Sequence, residues 1–196
     1  MFGDPVLNPM GWEFVKLTDI ADIKIGLTYK PEDISDKGII VLRSGNIRNG
    51  TLDFSDIVRV NKDIKNSLYV KENDILMCSR NGSAKLVGKV ALIKSIKEPM
   101  TFGAFMTIIR SKYYAYLLCF FNQQAFRLQI SGSSTTTVNQ ITNTMLSNIR
   151  LPVPPNDLIN DFLRYIEQLD KSKFRIKKSL EKLELTYKAL LQEYFG

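Results

Sequence analysis

The 196-residue chain has no histidine at all, only two cysteines and one tryptophan, and its longest apolar run extends just from Tyr113 to Phe121. Without an imidazole there is no Ser-His-Asp triad, no Cys-His dyad and no HExxH zinc site. Nor is there a side chain whose ordinary pKa suits acid-base work near neutrality. The apolar run is far short of the roughly 20 residues of a membrane-spanning helix, and no basic segment followed by an apolar stretch opens the chain, so neither membrane spanning nor secretion is expected. Cys78 follows Ile75-Leu76-Met77, and Cys119 sits between Leu117-Leu118 and Phe120-Phe121. Apolar neighbours of that kind predict buried, reduced thiols and a cytoplasmic protein.

Acidic residues are scarce in one region only. Residues 75–156 carry nine Lys or Arg against the single acid Glu98, whereas residues 1–74 carry ten basic and twelve acidic side chains and residues 157–196 carry eight and seven. The whole chain has a formal charge of +7 and a pI near 9.3. Uncompensated charge in one block attracts polyanions, because each phosphate contact releases condensed counterions, and nucleic acid is the leading partner. The plainer alternative is that these lysines only keep the domain soluble. Hydrophobic residues at 44% and aromatics at 10% are enough for a real core, and the length suits one domain plus a substantial extra element, or two small domains.

Short β-like runs punctuated by turn residues fill the first part of the chain. Thr18-Asp19 can cap a short helical turn through Ile20, Ala21 and Ile23 that Gly26 stops. Gly38 to Arg43, Asn46-Ile47, a hairpin-type Asn49-Gly50, Ile57 to Val60, Asp74 to Cys78, Leu86 to Ile93 and Phe102 to Ile109 predict an irregular sheet. Ser79 to Ser83 reads as a polar loop, Tyr113 to Phe126 as one buried helix, and Ser131 to Thr137 as an exposed loop. Leu151-Pro152-Val153-Pro154-Pro155 ends the domain, since consecutive prolines break a strand and Asn156 or Asp157 can cap a new helix.

The strongest periodicity follows. Ile159, Phe162, Ile166, Leu169, Lys173, Ile176, Leu180, Leu183, Tyr187, Leu190 and Tyr194 recur at alternating spacings of 3 and 4, and all but Lys173 are apolar. About five heptads without an interior Pro or Gly predict a coiled-coil helix of roughly 55–60 Å, longer than the preceding domain needs for its own core. Lys173 can set register or orientation, or simply snorkel to water. The class is therefore α+β: an irregular mixed-sheet domain over residues 1–155, then a long helix over 156–196.

Three catalytic motifs fail on inspection. Gly82 to Val90 has the wrong glycine spacing for a P-loop and places Val90 where a Mg²⁺-binding hydroxyl belongs. Val153-Pro154-Pro155-Asn156 lacks both the polar residue and the aromatic that flank the prolines of an amino-methyltransferase motif. Asp22-Ile23-Lys24 and Asp63-Ile64-Lys65 are the only Asp-x-Lys fragments suited to a metal-dependent nuclease, and tripeptides that short recur by chance.

Read in order, the chain resembles one half of a type I restriction-modification DNA specificity subunit, a target-recognition domain with its following helix. The resemblance is carried by Gly11-Trp12-Glu13 with Lys16 to Ala21, Gly26-Leu27-Thr28-Tyr29, Val41 to Ile47 with Gly50, and Asn73 to Leu76. It continues through Ser79 to Ala84, Leu86 to Lys89, Pro99 to Phe102, Gly132 with Val138 to Ile141, and Ile149 to Pro155. It implies a non-catalytic subunit that selects duplex DNA sequence for methyltransferase (M) and restriction (R) subunits. No cofactor is then expected in this chain, with S-adenosylmethionine, ATP and Mg²⁺ belonging to those partners. The family usually joins two recognition domains through two antiparallel helices, and this chain has one unit. Two copies pairing their helices antiparallel would restore the arrangement, and a rod of the expected length spans roughly 16 or 17 base pairs. The terminal Met1 to Pro5 and Glu193 to Gly196 suit one unit of a tandem repeat, whether a natural half-subunit or a piece of a longer one.

On that reading Arg43, Asn46, Arg80, Asn81 and Gln140 are candidates for reading bases, since Arg forms bidentate contacts with guanine and Asn or Gln with adenine. Lys85, Lys89, Lys112 and the hydroxyls of Ser133, Ser134, Thr135, Thr136 and Thr137 suit phosphate. Tyr29 can stack on a base or contact a sugar, or belong to the core. The rival functions are a metal-dependent nuclease and a basic coiled-coil adaptor for protein or RNA.

Overall fold

The computed structural model describes residues 1–131 and 140–195 and divides into two units, Met1–Val153 and Pro154–Gly196. At the centre of the first lies a four-stranded antiparallel sheet of β2 (Asp22–Ile25), β10 (Met106–Arg110), β7 (Ile75–Cys78) and β8 (Val90–Leu92), in that spatial order. Strand β7 is apolar throughout because both faces of the sheet are covered. Its alternating residues part accordingly: Ile75 and Met77 join the helical side with Leu117, Phe120, Phe121 and Phe126, whereas Leu76 and Cys78 join the opposite side with Leu42, Phe102 and Met106. Strand β10 divides in the same way, with Ile109 on the first side and Ile108 on the second.

A second sheet holds β6 (Val58–Val60), β3 (Ile34–Leu42) and β9 (Met100–Phe102), with β3 antiparallel to β6 and parallel to β9. Two small pairs complete the set, β1 (Phe14–Lys16) with β11 (Arg150–Pro152) and β4 (Ile47–Arg48) with β5 (Thr51–Leu52). The β4–β5 connection is the expected Asn-Gly hairpin. Asn49 and Gly50 have φ of 51° and 74°, the paired left-handed residues that a tight hairpin turn requires.

The helices are α1 (Leu17–Ile20), α2 (Tyr114–Phe121), α3 (Gln124–Ser131), α4 (Asn143–Asn148) and α5 (Asn156–Phe195). Helix α4 starts at Thr142, whose hydroxyl accepts from the Met145 N–H at 3.1 Å. Helix α5 starts directly after Pro154-Pro155 and runs 40 residues, about 60 Å. The result is the α+β arrangement with irregular sheets and a long last helix.

Several expected element boundaries move. The helical turn expected through Ile23 ends at Ile20, since Ala21 is extended and Asp22 to Ile25 pair with β10. The run Phe102 to Ile109 is two strands in different sheets, broken at Gly103 to Phe105. Of Leu86 to Ile93 only Val90–Leu92 is strand, because Gly88 (φ 75°) closes a series of turns from Ser83. Tyr113 to Phe126 is two helices. At Asn122 and Gln123 the backbone tightens onto Cys119 O and Phe120 O, and Phe126 folds back edge-on to Phe121 with ring centroids 5.0 Å apart.

Both cysteines are free, Cys78 buried and Cys119 half-buried, and burial pushes both thiols up, away from thiolate chemistry. Asp74, whose side chain is 1% exposed, takes two hydrogen bonds of 2.7 Å from Arg110, so the start of β7 is tied to the end of β10. Arg110 also donates to Tyr69 O at 3.1 Å.

Tyr116, 4% exposed on α2, donates its hydroxyl to Pro152 O on β11, and burial pushes its phenol up to about 12. The folded state thus holds this proton more tightly than the unfolded chain. The resulting stability is complete below about pH 10 and is lost as pH rises through 12, amounting to about 3 kcal/mol. Urea unfolding of wild type and Tyr116→Phe across that alkaline window should show the wild type alone losing this increment. Parallel pH profiles would count against the coupling.

Candidate nucleic-acid interface

Four of the five base-reading candidates cluster around the turn Gly103-Ala104-Phe105, which joins β9 to β10. The turn is clamped by backbone. Gly103 N–H donates to Leu42 O (2.9 Å), Leu27 N–H to Phe102 O (2.7 Å), and Met106 N–H to Gly103 O (2.8 Å). Ser79 and Arg80 N–H both donate to Phe105 O, at 2.9 and 3.0 Å. Gly26 lies so close that a Cβ there would fall 2.2 Å from Gly103 O and 2.3 Å from Phe102 O.

Arg80 stands beside this turn and also forms an isolated antiparallel bridge with Gln140, reinforced by Ile141 N–H to Ser79 O at 2.7 Å. Both Arg80 and Gln140 are exposed. Beneath them Ser79 Oγ and Thr107 Oγ1 share a buried hydrogen bond of 2.6 Å, so no polar atom of that pair is left to weaken the junction. Two clefts meet at Ala104 and Phe105. One, of about 330 Å³, is lined by Arg80, Gln140 and Asn143; the other, of about 540 Å³, by Tyr29, Arg43 and Ser44. Tyr29 also packs against the core cluster of Val41, Val60 and Ile64, so it serves both cleft and core.

Arg43 donates from Nη2 to Asp56 Oδ2 at 2.9 Å, while its Nε is buried with no acceptor among the described residues. Asn81 bridges to the same region, with its Nδ2 donating to Ser44 Oγ (2.9 Å) and its Oδ1 accepting from Ser83 N–H (2.9 Å). That fixes the Ser79–Ser83 loop against the loop after β3, leaving Asn81 only part of its amide for a base.

Asn46 is a correction. It is 1% exposed, and its amide accepts from Arg43 N–H (2.8 Å) and donates to Asp53 O (2.9 Å) and Asp56 O (2.8 Å). A base could be read only by dismantling these bonds, so Asn46 is the strut of the Arg43–Asp56 loop.

The phosphate candidates are dispersed. Lys85 and Lys89 are exposed in the turns before β8, and Lys112 lies at the far end of β10 from Phe105, roughly 20 Å along the strand, with Nζ 4.9 Å from the Tyr113 ring centroid. Ser133, Ser134, Thr135, Thr136 and Thr137 lie outside the described residues, and Gln140 is the first described residue after them. Of the Asp-x-Lys fragments, Asp22 is in β2 opposite Arg110, whereas Asp63 follows β6 in the other sheet. Phe105, which lines both clefts, and Ser44, which lines the larger, are not among the candidates that the sequence pattern singles out. Phe105 sits in an apolar run that reads as continuous strand; the Gly103-Ala104 pair inside that run is the signal that breaks it.

In the second unit Ile159 is a correction to the seam, being 3% exposed and therefore not available to a partner helix, whereas the α5 seam residues Ile176, Leu180, Leu183, Tyr187 and Tyr194 are all more than half exposed. An apolar stripe of that length is unusual on a free helix in water. Among the described residues no helix is long and apolar enough to cross a membrane.

A family model described as the type I restriction modification DNA specificity domain matches residues 9–186. The chain is similar to the type I restriction enzyme EcoKI specificity subunit of Escherichia coli K12, 28% identical, over 93% of this chain and 42% of that protein. It is similarly related to the StySPI specificity subunit of Salmonella potsdam, with 28% identity over the same shares. The fold is that of the HsdS subunit from Thermoanaerobacter tengcongensis (TM-score 0.57, 16% identity, 87% of this chain and 40% of that one). It is also that of the type I S subunit from M. genitalium (TM-score 0.56, 17% identity, 95% and 46%). The chain thus spans less than half the length of these relatives.

Because Gly26 is packed directly on the Gly103 carbonyl, Gly26→Ala should destabilise the domain by about 1–3 kcal/mol in urea unfolding. Gly45, with open space where its Cβ would be, should tolerate Ala. Equal midpoints for the two variants would contradict the clamp.

Proposed function

The chain belongs to the family of type I restriction modification DNA specificity domains, and from that premise we propose that it reads one half of a bipartite duplex DNA site for a methyltransferase and a restriction subunit. The observation that carries this reading is the gathering of Arg43, Arg80, Asn81 and Gln140, from three separate segments, around one backbone-clamped turn. Such side chains can form bidentate base contacts, each contributing about 1–3 kcal/mol of discrimination. Lys85 and Lys89 nearby in sequence, and the hydroxyls of Ser133 to Thr137, would add phosphate contacts that position without specifying.

The chain itself is non-catalytic in this reading. S-adenosylmethionine, ATP and Mg²⁺ act on the partner subunits, and the two free thiols suit a cytoplasmic enzyme. Mixing the chain with the methyltransferase subunit of its own system should give methylation confined to a gapped sequence, mapped by sequencing modified bases. Methylation without sequence preference, or none, would overturn the assignment.

Two copies would pair α5 antiparallel through the exposed seam, supplying two recognition units per particle and a palindromic gapped site. The 40-residue length of α5 and the exposed Leu180 and Leu183 of its seam support this. Light scattering should give a dimer for wild type and a monomer for Leu180→Glu. A wild-type monomer at high concentration would exclude the pairing.

A further inference from the structure

We propose that Phe105 is a specificity-determining residue: its ring contacts the C5-methyl of a thymine next to a guanine read by Arg80. The inference rests on the DNA-reading function above and names one of its contacts. Phe105 is 58% exposed, at the tip of a turn whose backbone is held from three other segments, at Leu27, Leu42 and Ser79-Arg80. A single exposed aromatic is ordinary on a mobile loop. Here the clamp leaves the ring little freedom to fold inward, and it stands where the Arg43 cleft and the Arg80 cleft meet.

Its neighbour defines the chemistry. The Arg80 guanidinium carbon lies 5.5 Å from the Phe105 ring centroid, and the two residues are joined by the Arg80 N–H to Phe105 O bond of 3.0 Å. An arginine flanked by an aromatic is already oriented before DNA arrives, so less rotamer freedom is lost when its two N–H groups meet guanine O6 and N7. The ring beside it is apolar and rigid. In the major groove the one apolar group on a base edge is the thymine methyl, and Phe is among the side chains that contact it. Arg80 and Phe105 therefore form one reading unit for a guanine and an adjacent thymine.

The test uses the full chain and a pool of duplexes with randomised positions. Wild type should enrich a half-site containing guanine with a neighbouring thymine. Phe105→Ala should retain the rest of that half-site and lose about tenfold in preference at the thymine. Replacing that thymine by deoxyuridine, which lacks only the methyl, should weaken wild type by a similar factor and leave Phe105→Ala unaffected. Coincident thermal unfolding of the two proteins checks that the variant is folded. An unchanged motif for Phe105→Ala, or wild-type binding indifferent to deoxyuridine at every thymine, overturns the role of Phe105 while the DNA-reading function stands. A wild-type chain that enriches no motif overturns that function, and this inference with it.

Discussion

The close approach of Gly26 to the Gly103 carbonyl is the contact on which the rest of the candidate interface depends. Strand β9 ends in one sheet and β10 begins in the other, so the chain must cross between sheets in the few residues around Gly103. That crossing is possible because the backbone after β2 presses onto it without an intervening side chain. From there the order spreads outward: Phe105 O receives Ser79 and Arg80, Ser79 O receives Ile141, and Gln140 is drawn beside Arg80. Residues far apart in sequence become neighbours through main-chain hydrogen bonds, which hold positions more rigidly than side-chain contacts alone.

Charge is arranged around this scaffold in two ways. Where an arginine ties the fold together it is neutralised: Arg110 by Asp74, and Arg59 by Glu98, whose carboxyl the bidentate guanidinium holds below the usual carboxylate range. Arg127 is likewise committed, donating to Val87 O and Gly88 O and thereby fixing the turn that carries Lys89. Because Glu98 is the one acid of residues 75–156 and is already paired with Arg59, exposed Lys85 and Lys89 have no local acid in their own segment.

The parts of the structure legible in the sequence are those governed by local physics. Asn49-Gly50 specified its hairpin because few residues tolerate two successive positive φ angles. Pro154-Pro155 and the uninterrupted 3-and-4 spacing placed α5, since neither feature depends on what lies around it. The errors lie where tertiary pairing overrode pattern. Ile23 suits a helix or a strand and became strand because β10 offered it Ile109 as a partner. The apolar run through Phe102 and Ile109 gave no hint that its halves belong to different sheets, because apolarity reports burial and not the neighbour against which a strand is buried.

The candidate site divides along the same line. Composition alone determined that the chain is basic in one block, lacks imidazole chemistry and carries a long apolar seam, because these are sums and periods over the sequence. Which polar residues are available to a ligand was decided only in three dimensions. Asn46 and Asn81 are the same side chain in similar loops, yet one is sealed inside by three backbone bonds and the other is half-buried beside Arg80. Phe105 was indistinguishable from core until the turn at Gly103 pointed it outward. Exposure is a property of the packed whole, set by which segments the backbone hydrogen bonds bring together, and no single residue or spacing encodes it.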